Sequence, residues 1–226
     1  MNTEAVVRPV SLGGGLVGNT VAARRPLDVR DLAARALLAG LFVALAIRIG
    51  ADFLRTGRIT GLLLLASESL VVVLTVVRRR TEQVDRRWPV RLVTAVSVAG
   101  PPLVEPAVAA AAISDGLTAL VSACGLLVIV AGKLSLGRSF GLLPANRGVV
   151  RAGMYRIVRH PIYAGYLVTH IGFLLGHWAV WNAVVLIVSD VAVLARAIYE
   201  ERMLGQDPAY ADYCERVRWR VLPGVF

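Results

Sequence analysis

Two short stretches carry side chains suited to chemistry: Arg159-His160-Pro161-Ile162-Tyr163-Ala164-Gly165 and Glu200-Glu201. The mostly apolar run 163–199 that separates them is too long for one helix. Gly176-His177-Trp178 and Trp181-Asn182 interrupt it and read as a turn with interfacial aromatics, so the run predicts two antiparallel helices. A hairpin returns the chain to the side it left, which brings two cations and two carboxylates together beside apolar helices. That arrangement suits a zwitterionic ligand with an apolar or aromatic body. Each stretch alone also has a plain structural meaning. Proline favours a first helical turn, and Arg196 with Glu200 is an ordinary i,i+4 pair. The signal is in the combination.

The three histidines, His160, His170 and His177, are spread along most of a helix, beyond the reach of one ion, so no metal is expected. The sequence has no nucleophile-elbow serine, phosphate-binding P-loop, Cys-x-x-Cys pair or dinucleotide-binding glycine fingerprint. Cys124 lies in an apolar run and Cys214 in a charged tail, so both are expected to be unpaired thiols.

The elements that must position these groups are membrane helices. Of 226 residues, 57% are hydrophobic and 18% charged, which displaces the chain from soluble domains toward the membrane class. Apolar stretches at 34–54, 59–77, 90–113 and 117–136 approach the roughly 20 residues needed to span a bilayer. With the hairpin they predict an all-α polytopic integral membrane protein of five to six spans. Pro101-Pro102 should kink or break the third. The first thirty residues lack a compact apolar core followed by a small-residue cleavage site, so no cleaved signal is expected.

The net charge is +10, from 25 basic and 15 acidic residues. The arginines cluster before residue 36, at 78–91, at 138–159 and in the tail from 202. The opposite loops hold only Arg55 and Arg58. This is the positive-inside pattern. It predicts a bacterial plasma-membrane protein with both termini and the site in the cytoplasm, and it removes the reason to expect nucleic acid. The chain divides into a cytoplasmic segment 1–33, transmembrane helices within 34–136, and a C-terminal catalytic region 137–226 comprising loop, hairpin and tail. Arg48 and Glu68 lie at comparable depth on neighbouring antiparallel helices, which suits a structural ion pair or, as the alternative, a polar substrate cavity. Glu105 and Asp190 receive no role.

The matching parts Gly153-Met154-Tyr155-Arg156, Arg159 through Gly165, Glu200-Glu201 and Tyr210…Tyr213…Arg216-Val217 resemble the isoprenylcysteine carboxyl methyltransferase family, related to the phospholipid methyltransferases. The likeness covers about 136–226; the first 135 residues share only a membrane-helix character. The resemblance implies S-adenosylmethionine as cofactor and a lipophilic methyl acceptor reaching the site from the bilayer; an isoprenylcysteine-like carboxylate is the name-giving family substrate, and phospholipid amines, isoprenoid acids and quinone-like or thiol acceptors stay open. It places Arg159, His160, Pro161, Tyr163 and Gly165 on one wall of a cofactor pocket and Glu200 and Glu201 on the other. Gly165 would permit close approach to the cofactor. Tyr155, Tyr210 and Tyr213 would pack against the adenosine or close the tail over it, and Arg196 or Arg218 would orient an anionic acceptor. No residue stands out as a catalytic base, and oligomeric state is not legible.

Two other readings compete. The tail Tyr213 to Phe226 also resembles the C-terminus of NADPH-dependent membrane sterol reductases. Those enzymes typically carry Asn where this chain has Pro161, and they usually lack the Glu-Glu pair. A non-enzymatic scaffold or small transporter would rest on the embedded Arg48, Glu68 and Asp190.

Overall fold

The computed structural model describes residues 29–77, 84–106, 113–139, 143–146 and 148–225. Seven α-helices occur among them: α1 (Val29–Thr56), α2 (Thr60–Val77), α3 (Trp88–Ala99), α4 (Asp115–Leu136), α5 (Pro161–Gly176), α6 (Val180–Leu204) and α7 (Pro208–Arg216). The described residues form no strand, only an isolated bridge between Val84 and Ala145. The all-α expectation therefore holds for the described residues. Among them, α4 and α6 are long and apolar enough to cross a membrane. α3, with 12 residues, rises only about 18 Å.

The helix ends follow local chemistry. Proline opens α5 and α7 at the first helical position, where its missing N–H costs nothing. The Asp207 side chain caps α7 by accepting from the Ala209 N–H at 2.9 Å. Gly137, at φ +53°, ends α4 in a conformation that other residues avoid. At Pro101-Pro102 the third apolar stretch is broken rather than kinked: α3 stops at Ala99, and a single 3-10 turn, Pro101–Leu103, leads into extended chain. The C-terminal hairpin is α5 and α6, joined by the turn at 177–179.

Packing is closest between α4 and α5. A β-carbon at Gly165 would lie 2.5 Å from Ile129 Cγ1 and 2.8 Å from the Gly125 carbonyl oxygen. Gly165 therefore lets two helices approach each other. Gly165→Ala should force the pair apart and destabilise the protein by about 2 kcal/mol. Gly40→Ala on α1, where nothing lies within 4 Å, serves as the control. Thermal unfolding in detergent should show a lowered midpoint for the first and an unchanged or raised one for the second.

The burial pattern departs from that of a soluble bundle. One core cluster joins Leu45, Ile49, Leu64, Phe173 and Leu186, and a second joins Ile162, Tyr163, Val193, Ala197 and Val221. Among them lie the buried polar groups Ser67, Glu68, Lys133, His170 and Arg196. Large apolar residues face outward instead: Leu120, Leu127 and Leu134 along α4, and Val184, Ile187, Val188 and Val191 along α6. Such extensive exposed apolar faces around a partly polar interior suit a lipid surround.

The expected Arg48–Glu68 pair does not form. Arg48 instead donates to the Pro102 carbonyl at 2.5 Å and lies 3.8 Å from Glu105. Glu68 is on the side of α2 that meets α5, 3.9 Å from His170. Equal depth on adjacent helices does not set which face each side chain occupies.

Candidate active site

The Arg159-His160 pair is pinned by the tail. The backbone N–H groups of Arg159 and His160 donate to the carbonyls of Trp219 and Arg220 at 2.9 and 2.7 Å. Pro161 then starts α5 at once, so His160 is fixed as the residue before the helix, facing the C-terminal end of α6. Its Nε2 lies 3.2 Å from Glu201 Oε1, and its Nδ1 lies 3.6 Å from Glu200 Oε2. Burial opposes an imidazolium here, but the two carboxylates outweigh it and raise the His160 pKa above its ordinary value.

The two glutamates do different work. Glu200 receives the Tyr163 hydroxyl at 2.5 Å and lies 3.6 Å from Arg196, one turn earlier on α6. The Arg196 guanidinium covers the Tyr163 ring at 5.3 Å, and that ring stacks on His160 with centroids 5.3 Å apart. Glu201 instead ties the tail to the loop: Arg159 Nη1 lies 3.1 Å from it, and Arg220 Nε donates to it at 2.8 Å. Arg159 also reaches Cys214 Sγ at 3.3 Å and the Arg218 carbonyl at 2.9 Å. Burial opposes the Arg159 charge, but Glu201 outweighs it and raises the pKa, so the guanidinium persists.

Two cavities meet at this cluster. The first lies among the helices and is lined by Glu68, Ser97, Tyr163, Tyr166, His170 and Arg196, among others. The second lies under the loop and α7, against Val149, Arg159, Leu204, Tyr210 and Tyr213. Leu136, Tyr155, His160 and Glu200 line both cavities and so form the wall between them. The Tyr213 hydroxyl donates to the Tyr155 carbonyl at 2.8 Å, fastening α7 to this wall. Burial raises the pKa of Tyr155, Tyr210 and Tyr213, so all three remain neutral phenols.

Tyr155, Arg159, His160, Tyr163, Arg196, Glu200, Tyr210 and Tyr213 thus all line one cavity or the other. Glu201, Pro161, Gly165 and Arg218 line neither. Glu201 braces the wall from behind, Pro161 sets the start of α5, and Arg218 contributes its backbone carbonyl while its side chain is exposed. Sequence reasoning missed Tyr166, His170 and Arg220, and it offered a polar cavity at Glu68 only as the alternative to an ion pair with Arg48. Helical spacing held a signal for two of them, since Tyr163, Tyr166 and His170 recur at i, i+3 and i+7, as do Val193, Arg196 and Glu200 on α6. The helix-lined cavity also draws on residues before 137, so its walls cross the expected boundary between transmembrane and catalytic regions.

Comparison with known proteins points the same way. Residues 107–209 match the family model of the phospholipid methyltransferases. Over 105 residues the chain is 31% identical to protein-S-isoprenylcysteine O-methyltransferase A of Arabidopsis thaliana, an alignment covering 41% of this chain and 48% of the relative. The chain therefore spans about half the length of the curated relative it matches. Both comparisons support the resemblance drawn from the Arg-His-Pro and Glu-Glu motifs: the chain is similar to the phospholipid methyltransferases over 107–209 and to a protein-S-isoprenylcysteine O-methyltransferase.

Proposed function

We propose that the protein is a polytopic membrane enzyme, its termini and cofactor site cytoplasmic, that transfers a methyl group from S-adenosylmethionine to a lipophilic acceptor carboxylate of the isoprenylcysteine or isoprenoid type. The observation that carries the reading is the pair of cavities sharing one wall, one lying under the polar loop and the other among the helices. A two-substrate transfer between a water-soluble donor and a lipid needs that division.

The residues fit the cofactor. The loop-side cavity offers a carboxylate, Glu200, for its ammonium group. Arg159, whose buried Nε has no hydrogen-bond partner among the described residues, suits its carboxylate. Tyr155, Tyr210 and Tyr213 offer aromatic surface for its adenosine. When bound, S-adenosylmethionine supplies a sulfonium-activated methyl for in-line displacement. Leu136 and residues after it supply this side, and α2 and α3 contribute to the acceptor side.

The protein contributes position and dryness. Arg196, buried and facing the helix-lined cavity, holds an anionic acceptor while Tyr163 and Glu200 fix the guanidinium. Arg159, His160, Arg196 and Arg220 outnumber Glu200 and Glu201, so the frame is cationic and favours a carboxylate over an amine acceptor. A carboxylate needs no base. Leu136 and Tyr155 keep water from the junction, and alignment of the reacting atoms supplies much of the rate.

The test is transfer of labelled methyl by the purified protein. N-acetyl-S-farnesylcysteine or farnesoic acid should acquire label that alkali releases as methanol, as an ester does. Label appearing only in phosphatidylethanolamine, stable to alkali as N-methyl, would replace the carboxylate with an amine acceptor.

A further inference from the structure

The helix-lined cavity reaches a second polar cluster, well away from the Arg-His-Pro and Glu-Glu motifs. His170 lies seven residues beyond Tyr163 on α5, or about 10 Å farther along the helix. Its Nδ1 lies 2.6 Å from Asp190 Oδ1 on α6, and its Nε2 lies 3.9 Å from Glu68 Oε1 on α2. His170 and Glu68 side chains are only 2% and 5% exposed, and both line the cavity. The two facing atoms, Glu68 Oε1 and His170 Nε2, are buried and have no hydrogen-bond partner among the described residues. An unmet buried group of this kind costs roughly 1–3 kcal/mol, more when charged, so the cavity is built to receive something there.

We infer that Glu68 and His170 clamp a neutral hydroxyl carried by the acceptor, about 10 Å from the end that Arg196 holds. This rests on the methyltransferase reading and narrows its substrate to a hydroxylated lipophilic acid. Geometry supports the choice of group. An oxygen about 2.8 Å from each of two atoms 3.9 Å apart meets them at an angle of about 90°, which a hydroxyl tolerates. Chemistry supports it too. With a carboxylate opposite each ring nitrogen, the His170 ring carries both N–H bonds, so Nε2 donates and Glu68 accepts. A hydroxyl accepts from the first and donates to the second. Charge excludes the alternatives: the Glu68 and Asp190 carboxylates already face His170, and the buried Lys133 donates to the carbonyl of Ser67, next to Glu68, at 3.5 Å. A further ammonium or carboxylate would arrive uncompensated in a buried site.

The probes are ω-hydroxydecanoic acid, its methyl ether and decanoic acid, measured by calorimetry on the detergent-purified full chain. The hydroxy acid should bind wild type at least roughly tenfold more tightly than the ether or the plain acid, as expected of hydrogen bonds to charged groups. That preference should vanish in Glu68→Gln and in His170→Phe, leaving the affinity for decanoic acid within about threefold of wild type. Equal binding of the three probes to wild type would mean that only water fills the clamp and would overturn the inference, whether or not the variants fold. S-adenosylhomocysteine binding in the same samples separates the two claims. If it binds while the hydroxyl preference is absent, the clamp fails and the methyltransferase reading stands; the converse fails that reading and keeps the clamp.

Discussion

Glu200→Gln should weaken S-adenosylhomocysteine binding by roughly a hundredfold and depress methyl transfer at least as much. Glu200 is the carboxylate on the shared wall, with Tyr163, Arg196 and His160 arranged around it. The amide keeps the shape and one acceptor but removes the charge that would meet the cofactor ammonium, and charge-assisted hydrogen bonds contribute about 1.5–3 kcal/mol each. Arg196 and His160 lose their anionic partner as well, so the thermal midpoint should fall; breaking a buried pair is costly. Glu201→Gln should behave differently. Glu201 lines neither cavity and holds Arg159 and Arg220, so its loss should loosen the tail and raise protease sensitivity near residue 220. Equal effects of the two substitutions on cofactor affinity would remove the distinction between a ligand-facing and a bracing carboxylate.

Arg196→Gln should lower kcat/KM for a carboxylate acceptor by a hundredfold to a thousandfold while leaving cofactor affinity within about threefold, the pattern of a lost acceptor contact rather than a lost cofactor contact. Arg196 lines the helix-lined cavity and not the other. Its guanidinium is prepaid in orientation: Tyr163 lies beneath it, Glu200 beside it, and Ser97 accepts from Nη1 at 3.4 Å. Arg196→Lys should recover little, because an ammonium reproduces neither the planar stack nor the two-pronged reach to a carboxylate. A comparable loss of S-adenosylhomocysteine affinity in both variants would show that Arg196 serves the cofactor side.

The sequence made the hairpin and the convergence of its ends legible because both rest on strong local signals. A long apolar run with an interfacial interruption predicts two helices, and antiparallel helices return to one level; α5, α6 and the His160–Glu201 contact follow. What it could not reveal was which face each side chain takes. Adjacent glutamates read as one motif, yet residues 100° apart around a helix face different neighbours, and Glu200 and Glu201 divide their roles accordingly. Gly165 carried no mark distinguishing approach to a ligand from approach to α4. Arg48 and Glu68 shared a depth but not an azimuth, and the charges meet Glu105 and His170 instead. The contribution of the first half of the chain was hidden for the same reason. Glu68, Ser97 and Val98 are distant in sequence from every motif, and only tertiary packing brings them to the cavity.

The most direct test of the central claim is calorimetry of the detergent-purified protein with S-adenosylmethionine, S-adenosylhomocysteine and NADPH, on wild type and Glu200→Gln. The account predicts micromolar binding of the first two to wild type, a large loss in the variant, and no heat from NADPH. Binding of NADPH alone would contradict it and make the tail's likeness to the sterol reductases the truer guide.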